Sequence, residues 1–286
     1  MKLLRFGDQG SEKVGAVDAN GAIRDLSSKV SALHSASFEA GLLQELADLD
    51  LTTYPIVEGN PRIGVPWEGI SKYICIGLNY SDHAAEAGMP LPKSPIVFLK
   101  APSAICGPND DTVQPVGSTK LDWEVELGIV IARTARNISE TEVPSVIAGY
   151  CLLNDVSERA FQMETTQWDK GKGCDTFGPI GPWLVTPDEV ADPNALDLWL
   201  DVNGTRMQTG NTEKMVFSVT TLVADLSRYM TLLPGDVIAT GTPPGVGMGH
   251  KPEPIWLKPG DVVELGISGL GRQRQTIVAA EHAPAR

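Results

Sequence analysis

Two glutamates near the middle of the chain carry the strongest chemical signal. Within residues 121–131, Asp122, Glu124 and Glu126 alternate with apolar residues, which predicts a β-strand whose acids share one face. The backbones of Glu124 and Glu126 would then lie about 7 Å apart. Two carboxylates held so close in a partly dry place repel each other, unless one takes up a proton or a cation compensates them. The pattern indicates either a divalent metal site or an edge strand with a solvated acidic face.

A third acid follows another apolar segment. Residues 147–156 predict a mainly buried strand that ends at Asp155. A buried acid is seldom without a partner. Two partners are possible for this one: Arg159, four residues further on, or a metal that Asp155 shares with Glu124 and Glu126.

A histidine and a glutamate could act together as a base. His83 and Glu86 lie three positions apart on a predicted short helix, which Ser81 or Asp82 can cap and which Gly88 ends. They therefore share one face of that helix, and the carboxylate can orient the imidazole and raise its basicity. The pair could activate a water molecule. The alternative is an exposed helix pair without a function.

Four further stretches offer a lid, two lysines and a glycine-rich loop. The proline-rich residues 89–95 follow the short helix and are typical of a mobile lid. Lys100 ends an apolar strand, either as a site residue or as a strand end that reaches water. Lys172 lies among glycines, either close to an anion or as an ordinary surface lysine. Residues 239–247 could present backbone N–H groups to a carboxylate.

The elements that must position these groups follow from periodicity and turn residues. Proline and glycine recur between residues 52 and 70 and predict a boundary between a small N-terminal α+β domain, residues 1–68, and a catalytic domain, residues 69–286. The pattern predicts hairpins over residues 14–26 and 198–208, helices over 38–46 and 218–230, and strands over 73–77 and 96–100 and near 236 and 261.

Composition excludes several classes of partner. The 286 residues are 42% hydrophobic and 21% charged, with a net charge of -13, which argues against nucleic acid and anionic membranes. The sequence shows no run of membrane-spanning length and no signal peptide, so we expect a cytoplasmic protein. Four widely spaced cysteines, with no CxxC pair, predict buried thiols and neither disulfides nor a zinc site.

Five stretches follow one another along the chain: residues 77–80 with His83 and Glu86, then 122–128, 154–159, 172–179 and 240–247. Together they resemble the fumarylacetoacetate hydrolase family, over about residues 73 to 278. The resemblance implies a β-rich α+β fold, a mixed β-sandwich roll, that usually forms a homodimer and binds one divalent ion, generally Mg²⁺, with Mn²⁺ or Ca²⁺ as possible substitutes.

The same resemblance implies roles for individual residues. Glu124, Glu126 and Asp155 match the metal ligands, and three oxygen donors suit Mg²⁺ or Mn²⁺ better than zinc. Asp122 does not match a main ligand, and we expect it to hold the neighbouring loop. The catalytic residues are then His83, Glu86 and Lys172, and the residues expected to face the substrate are Tyr80, Lys100, Arg159, Gln208, Gly241 and Thr242.

The implied reaction is hydrolysis of the C–C bond of a 2,4-dioxo acid to pyruvate and a carboxylic acid. His83, oriented by Glu86, would deprotonate the water that attacks the C4 carbonyl, and Lys172 would add positive charge. Acylpyruvates and 2,4-diketo-3-deoxy sugar acids both fit, and we lean towards the sugar acid. The alternative is a 2-oxo acid decarboxylase or tautomerase that uses the same site. A metal-binding protein without turnover is disfavoured because all three catalytic residues are present.

Overall fold

β-Strands account for most of the regular secondary structure in the computed structural model, which describes residues 1–282. In chain order they are β1 Lys2–Phe6, β2 Lys13–Val17, β3 Ile23–Asp25, β4 Tyr73–Gly77, β5 Ile96–Lys100, β6 Ile105–Cys106, β7 Thr112–Gln114, β8 Leu121–Asp122, β9 Val125–Ile131, β10 Ile147–Asn154, β11 Ser157–Glu158, β12 Gly178–Pro179, β13 Leu184–Val185, β14 Asp197–Val202, β15 Thr205–Asn211, β16 Val237–Ala239, β17 Val262–Ile267 and β18 Gly271–Ala279.

The helices are short except for the last. They are α1 Ala36–Glu39, α2 Leu42–Ala47, α3 Ser81–Glu86, α4 Arg159–Gln162, α5 Asp169–Lys172 and α6 Val219–Tyr229, with 3₁₀ turns at Leu51–Thr53, Pro102–Ala104, Val143–Ser145, Pro187–Glu189, Thr212–Lys214, Gly247–Gly249 and Ala280–His282. No helix in this part of the chain has the length and apolar character needed to cross a membrane. The predicted β-rich α+β class is confirmed.

Both predicted amphipathic helices are present, one of them in two parts. The predicted cap Ser218 accepts a hydrogen bond from the Thr221 N–H, and α6 begins immediately after it. The helix predicted over residues 38–46 is divided into α1 and α2. Gly41 lies between them with φ of 97°, a left-handed conformation that ends the first helix and turns the chain into the second.

A nine-stranded mixed sheet, in the order β3-β2-β1-β13-β10-β9-β16-β4-β5, forms the larger layer. The predicted N-terminal hairpin is present as β2 and β3, and β1 joins the hairpin to β13. One sheet therefore contains strands from both sides of residue 68, the predicted domain boundary. The division into residues 1–68 and 69–286 stays a prediction.

The smaller layer has five strands, in the order β15-β14-β17-β18-β7. Its hairpin turns at Asn203 and Gly204 with φ of 50° and 75°, as expected for a tight Asn-Gly turn. Apolar side chains from β9, β14, β17 and α6 belong to one continuous buried cluster, so the two sheets pack against each other there. A second buried cluster covers the other face of the larger sheet.

The acid-bearing segment lies in the middle of this arrangement. β9 pairs with β10 on one side and β16 on the other, and each of its residues is buried. The alternative of an edge strand with a solvated acidic face is therefore wrong. The four cysteines form no disulfide within residues 1–282, and Cys75, Cys106 and Cys151 are buried while Cys174 is partly exposed.

Candidate active site

Three carboxylates meet where two central strands separate. The strand predicted over residues 121–131 is interrupted, because β8 pairs with β11 while β9 pairs with β10. Glu124 lies in the gap and Glu126 on β9, and Asp155 comes directly after the antiparallel neighbour β10. The Asp155 N–H donates to the Glu124 carbonyl at 2.9 Å. These three residues, here called the acid cluster, are buried, and one carboxylate oxygen of each lies within 4.8 Å of the others.

Three buried cations surround the acid cluster. Lys172 Nζ donates to Glu124 Oε2 at 2.7 Å and to Asp155 Oδ2 at 2.8 Å. Arg159 Nη2 donates to Glu124 Oε1 at 2.6 Å, and Lys100 Nζ lies 2.5 Å from Asp155 Oδ1. The suggested pairing of Asp155 with Arg159 is therefore wrong, because two lysines hold Asp155 and Arg159 holds Glu124.

Neither lysine is an ordinary surface residue. Lys100 and Lys172 are each 2% exposed, so the two surface alternatives are wrong. Besides Asp155, Lys100 Nζ binds the carbonyls of Val156 at 2.9 Å and Lys172 at 2.7 Å. The ammonium group of Lys100 therefore connects the segment after β10 with the end of α5.

The charges within the acid cluster are unequal. Burial opposes ionisation of Glu124, but the positive charges of Arg159 and Lys172 lower its pKa to about 2. Burial raises the pKa of Glu126 well above its ordinary value, and the negative charges of Asp155 and Glu124 raise it further. Glu126 accepts a hydrogen bond from the Gly241 N–H at 2.8 Å. No ion pair with Glu126 forms within residues 1–282, and the charge of Lys172 and the Gly241 hydrogen bond only partly offset the increase in its pKa.

These residues fit a divalent cation. Three buried oxygen donors from carboxylates are the ligands that Mg²⁺ and Mn²⁺ prefer. Burial, together with repulsion from Asp155 and Glu124, disfavours the ionised form of Glu126. A bound divalent ion would relieve that repulsion.

His83 and Glu86 form the expected pair on α3. His83 Nδ1 lies 3.0 Å from Glu86 Oε2. The Gly245 N–H donates to the Glu86 carboxylate, at 3.1 Å to one oxygen and 3.3 Å to the other. The two side chains are 15% and 27% exposed, so the pair lies nearer to solvent than the acid cluster does.

The glycine-rich loop over residues 239–247 joins these groups. Its N–H groups do bind carboxylates, as the sequence suggested, but the carboxylates belong to the protein. Gly241 and Gly245 have positive φ, a conformation that glycine adopts without strain and that turns the backbone N–H groups towards these carboxylates. In this loop Gly241 donates to Glu126, Gly245 to Glu86 and Gly247 to Asp122.

A cavity of about 380 Å³ brings the predicted groups together. Both members of the α3 pair face it, and so do two members of the acid cluster. The predicted site residues that line the cavity are His83, Glu86, Glu124, Glu126, Arg159, Lys172 and Thr242.

Four of the six residues predicted to contact substrate do not line the cavity. Gln208 is fully buried, accepts from the Val125 N–H and donates to Thr242 Oγ1 and the Pro243 carbonyl, so its amide holds the loop. The sequence could not show this, because these partners come from distant segments. The other three are buried and lie outside the cavity lining: Tyr80, Lys100 and Gly241.

Several cavity residues were missed. Gln162 accepts from Arg159 Nη1 at 3.0 Å and lies three positions after it on α4. The spacing rule that links His83 to Glu86 could have found it. The others carried no local signal, because an apolar side chain near a site has the same pattern as one in the core: Met89, Ile96, Phe98, Met163, Trp168 and Met248.

A family model for the C-terminal domain of fumarylacetoacetate (FAA) hydrolase matches residues 72–278. A Burkholderia ambifaria protein that carries only a general hydrolase name is 60% identical over 277 residues, which cover 96% of this chain and 98% of that protein.

Solved structures agree with that match. The fumarylacetoacetate hydrolase of Exiguobacterium antarcticum has a TM-score of 0.86 at 36% identity, covering 98% of this chain and 99% of that one. The maleylpyruvate hydrolase of Sphingobium sp. SYK-6 has a TM-score of 0.81 at 29% identity, covering 98% and 100%. The 2-hydroxyhepta-2,4-diene-1,7-dioate isomerase of Mycobacterium marinum has a TM-score of 0.74 at 32% identity, covering 98% and 99%.

Proposed function

Because the chain belongs to the fumarylacetoacetate hydrolase family, we propose that it is a divalent metal-dependent hydrolase of 2,4-dioxo acids. It would cleave the C–C bond to give pyruvate and a carboxylic acid. The observation that carries the proposal is the placement of a buried acid cluster and a histidine–glutamate pair around one cavity. The first suits a cation and the second suits water activation.

The metal would be held by Glu124, Glu126 and Asp155. We propose Mg²⁺, with Mn²⁺ or Ca²⁺ as substitutes. When bound, the ion supplies positive charge for the oxygen on which negative charge develops as the C–C bond breaks.

The chain's own residues supply the base. Because the Glu86 carboxylate lies against Nδ1 of His83, that nitrogen carries the proton and Nε2 is left to accept one from water. General-base catalysis of this kind contributes about 10²- to 10⁴-fold in rate. Lys172 and Arg159 line the same cavity and bring fixed positive charge to the carboxylate end of the substrate.

The cavity wall supports an acylpyruvate over the sugar acid towards which the sequence leaned. The wall includes Ile96, Phe98, Met163, Trp168 and Met248. The rings of Phe98 and Trp168 pack edge to face, with their centroids 5.3 Å apart. The hydroxyl groups of a sugar acid would lose hydrogen bonds to water against such a surface, whereas a hydrocarbon chain would gain by burial.

One lysine supports a terminal carboxylate on that acyl chain. Lys251 lines the cavity and is exposed, and it has no acidic partner within residues 1–282, whereas Lys172 and Arg159 are paired with carboxylates. An unpaired ammonium group in a cavity with an apolar wall suits an anionic group on the substrate besides its pyruvyl carboxylate. We therefore propose an acylpyruvate whose acyl chain ends in a carboxylate.

A panel of substrates tests the proposed function. With Mg²⁺ present, we expect the highest kcat/KM for acylpyruvates that end in a carboxylate, then for neutral acylpyruvates, then for a 2,4-diketo-3-deoxy sugar acid. Pyruvate release is measured with lactate dehydrogenase. Absence of pyruvate release from every acylpyruvate and diketo acid, with Mg²⁺ and with Mn²⁺, would contradict the proposal.

The second candidate is a decarboxylase, tautomerase or isomerase reaction at the same site. The name of the Mycobacterium marinum relative, an isomerase, supports it. Carbon dioxide release from oxaloacetate, or an ultraviolet change without pyruvate release, would favour this reading over hydrolysis.

Lys251→Ala tests the terminal-carboxylate subsite. Loss of one partly exposed charge pair costs about 1 kcal/mol, so we expect KM for the carboxylate-ended substrate to rise about fivefold. KM for the neutral acylpyruvate should be unchanged, and Lys251→Arg should keep the preference. An equal change for both substrates would remove Lys251 from recognition.

We also propose a homodimer, located in the cytoplasm. The edge strand β5 of the larger sheet exposes Val97 and Leu99, at 37% and 42%, and an exposed apolar edge strand is a common place for chains to associate. Light scattering should then give twice the chain mass of 30.6 kDa.

A further inference from the structure

Asp122 is fully buried and binds four donors, although it does not line the cavity. Its Oδ1 accepts from the N–H groups of Trp123 at 2.8 Å and Gly247 at 2.6 Å. Its Oδ2 accepts from the Met248 N–H at 3.1 Å and from Arg159 Nε at 2.8 Å. One carboxylate thus binds the glycine-rich loop and a buried guanidinium at the same time.

Asp122 is connected to the acid cluster through Arg159. Arg159 donates from Nε to Asp122 and from Nη2 to Glu124 at 2.6 Å. The guanidinium is planar and rigid, so the position of one carboxylate constrains the other.

Asp122 is connected to the His83–Glu86 pair through the glycine-rich loop. The loop held at Gly247 includes Gly245, whose N–H binds Glu86. Trp123 Nε1 donates to the Gly245 carbonyl at 3.1 Å, so the segment that carries Asp122 holds this part of the loop as well. The contact with Glu86 in turn places His83.

We propose that Asp122 is a positioning residue that couples the acid cluster to the His83–Glu86 pair. It does so by fixing Arg159 and the loop over residues 245–248 relative to each other. The base and the cation site must keep a set distance for a water to reach a bound substrate, and small displacements of such groups are costly in rate. This inference rests on the proposed role of His83 and Glu86.

The variant Asp122→Asn tests the coupling. The amide keeps the size of the side chain, but its NH₂ group would face N–H donors, so contacts with the loop or with Arg159 are lost. We expect kcat with Mg²⁺ to fall about 10- to 100-fold with little change in KM. We also expect the imidazole NMR signals of His83 to shift in the substrate-free protein. The chain has four histidines, and His83→Gln identifies these signals.

Asp236→Asn is the matched control. Asp236 is also fully buried, accepts from the N–H groups of Lys72 at 3.0 Å and Leu233 at 2.7 Å, and pairs with Lys72 Nζ at 2.6 Å. It does not line the cavity. We expect this variant to lose thermal stability as Asp122→Asn does, but to keep kcat and the His83 signals of the parent.

Two results would overturn the inference: folded Asp122→Asn with the kcat and His83 signals of the parent, or Asp236→Asn with the same changes as Asp122→Asn. Should Asp122→Asn not fold, Asp122→Glu decides. It keeps the charge on a longer side chain, so we expect a smaller shift of the His83 signals and a partial loss of kcat, and unshifted signals overturn the inference. Absence of turnover in the parent would instead contradict the proposed function, because the NMR readout needs no substrate.

Discussion

The acid cluster and the His83–Glu86 pair face one cavity, but the fold holds them in different ways. The cluster lies on β9 and in the segments next to β9 and β10, between three buried cations. The pair lies on a six-residue helix, is partly exposed, and contacts the glycine-rich loop through the N–H of Gly245. The cluster is therefore part of the folded core, whereas the pair lies at its margin.

The difference predicts separate energetic roles. Removing one partner from a buried ion pair costs about 3–5 kcal/mol, because a charge is left uncompensated. An exposed ion pair contributes about 0–1 kcal/mol. Substitutions in the acid cluster should therefore change stability, metal binding and rate together. Substitutions in the pair should change the rate alone.

Glu124→Gln should have the largest effect. The variant loses one proposed metal ligand and leaves Lys172 and Arg159 short of negative charge. We expect no Mg²⁺ binding by calorimetry, a lowered melting temperature, and a loss of turnover of a hundredfold or more.

Glu264→Gln is the control for that variant. Glu264 lies on β17 with a side chain that is 47% exposed, so the same chemical change should leave metal binding and rate as in the parent. Glu124→Gln protein that binds Mg²⁺ as tightly as the parent would show that the ligand assignment is wrong.

His83→Gln should have the next largest effect, and on the rate alone. Loss of the base lowers kcat by about 10² to 10⁴. Mg²⁺ affinity and melting temperature should stay as in the parent, because within residues 1–282 the ion pair of His83 is with Glu86 and not with the acid cluster. His34→Gln, at an exposed histidine that does not line the cavity, is the control. Full activity of His83→Gln would remove the base from the mechanism.

The sequence predicted much of the site because its local patterns coincide with real elements. Both Asn-Gly hairpins, α6 with its Ser218 cap, and the spacing of His83 and Glu86 depend on neighbours within a few residues. What failed depends on distant pairing. The strand is interrupted at Glu124 because β8 pairs with β11, whereas β9 pairs with β10.

Side-chain partners from remote segments were equally hidden. Lys100 meets Asp155 from 55 positions away, and Gln208 meets the Val125 N–H from 83 positions away. No local pattern distinguishes such a lysine or glutamine from one that faces water. That both contact substrate stays a prediction, and both side chains are buried and lie outside the cavity lining.

The smallest effect should be a proton released when Mg²⁺ binds. Burial and the negative charges of Asp155 and Glu124 raise the pKa of Glu126, so in the metal-free protein this carboxyl keeps its proton to a higher pH than an ordinary glutamate does. A cation favours the ionised form and lowers that pKa, so binding releases up to one proton between the pKa of the metal-bound carboxyl and the raised pKa of the metal-free one, and the release declines above and below this window. Calorimetry in buffers of different ionisation enthalpy measures the number. His83→Gln should release as many protons as the parent, because the proton comes from the acid cluster. A smaller release from that variant would mean that the pair on α3 takes part in metal binding, and the separation between the two regions would fail.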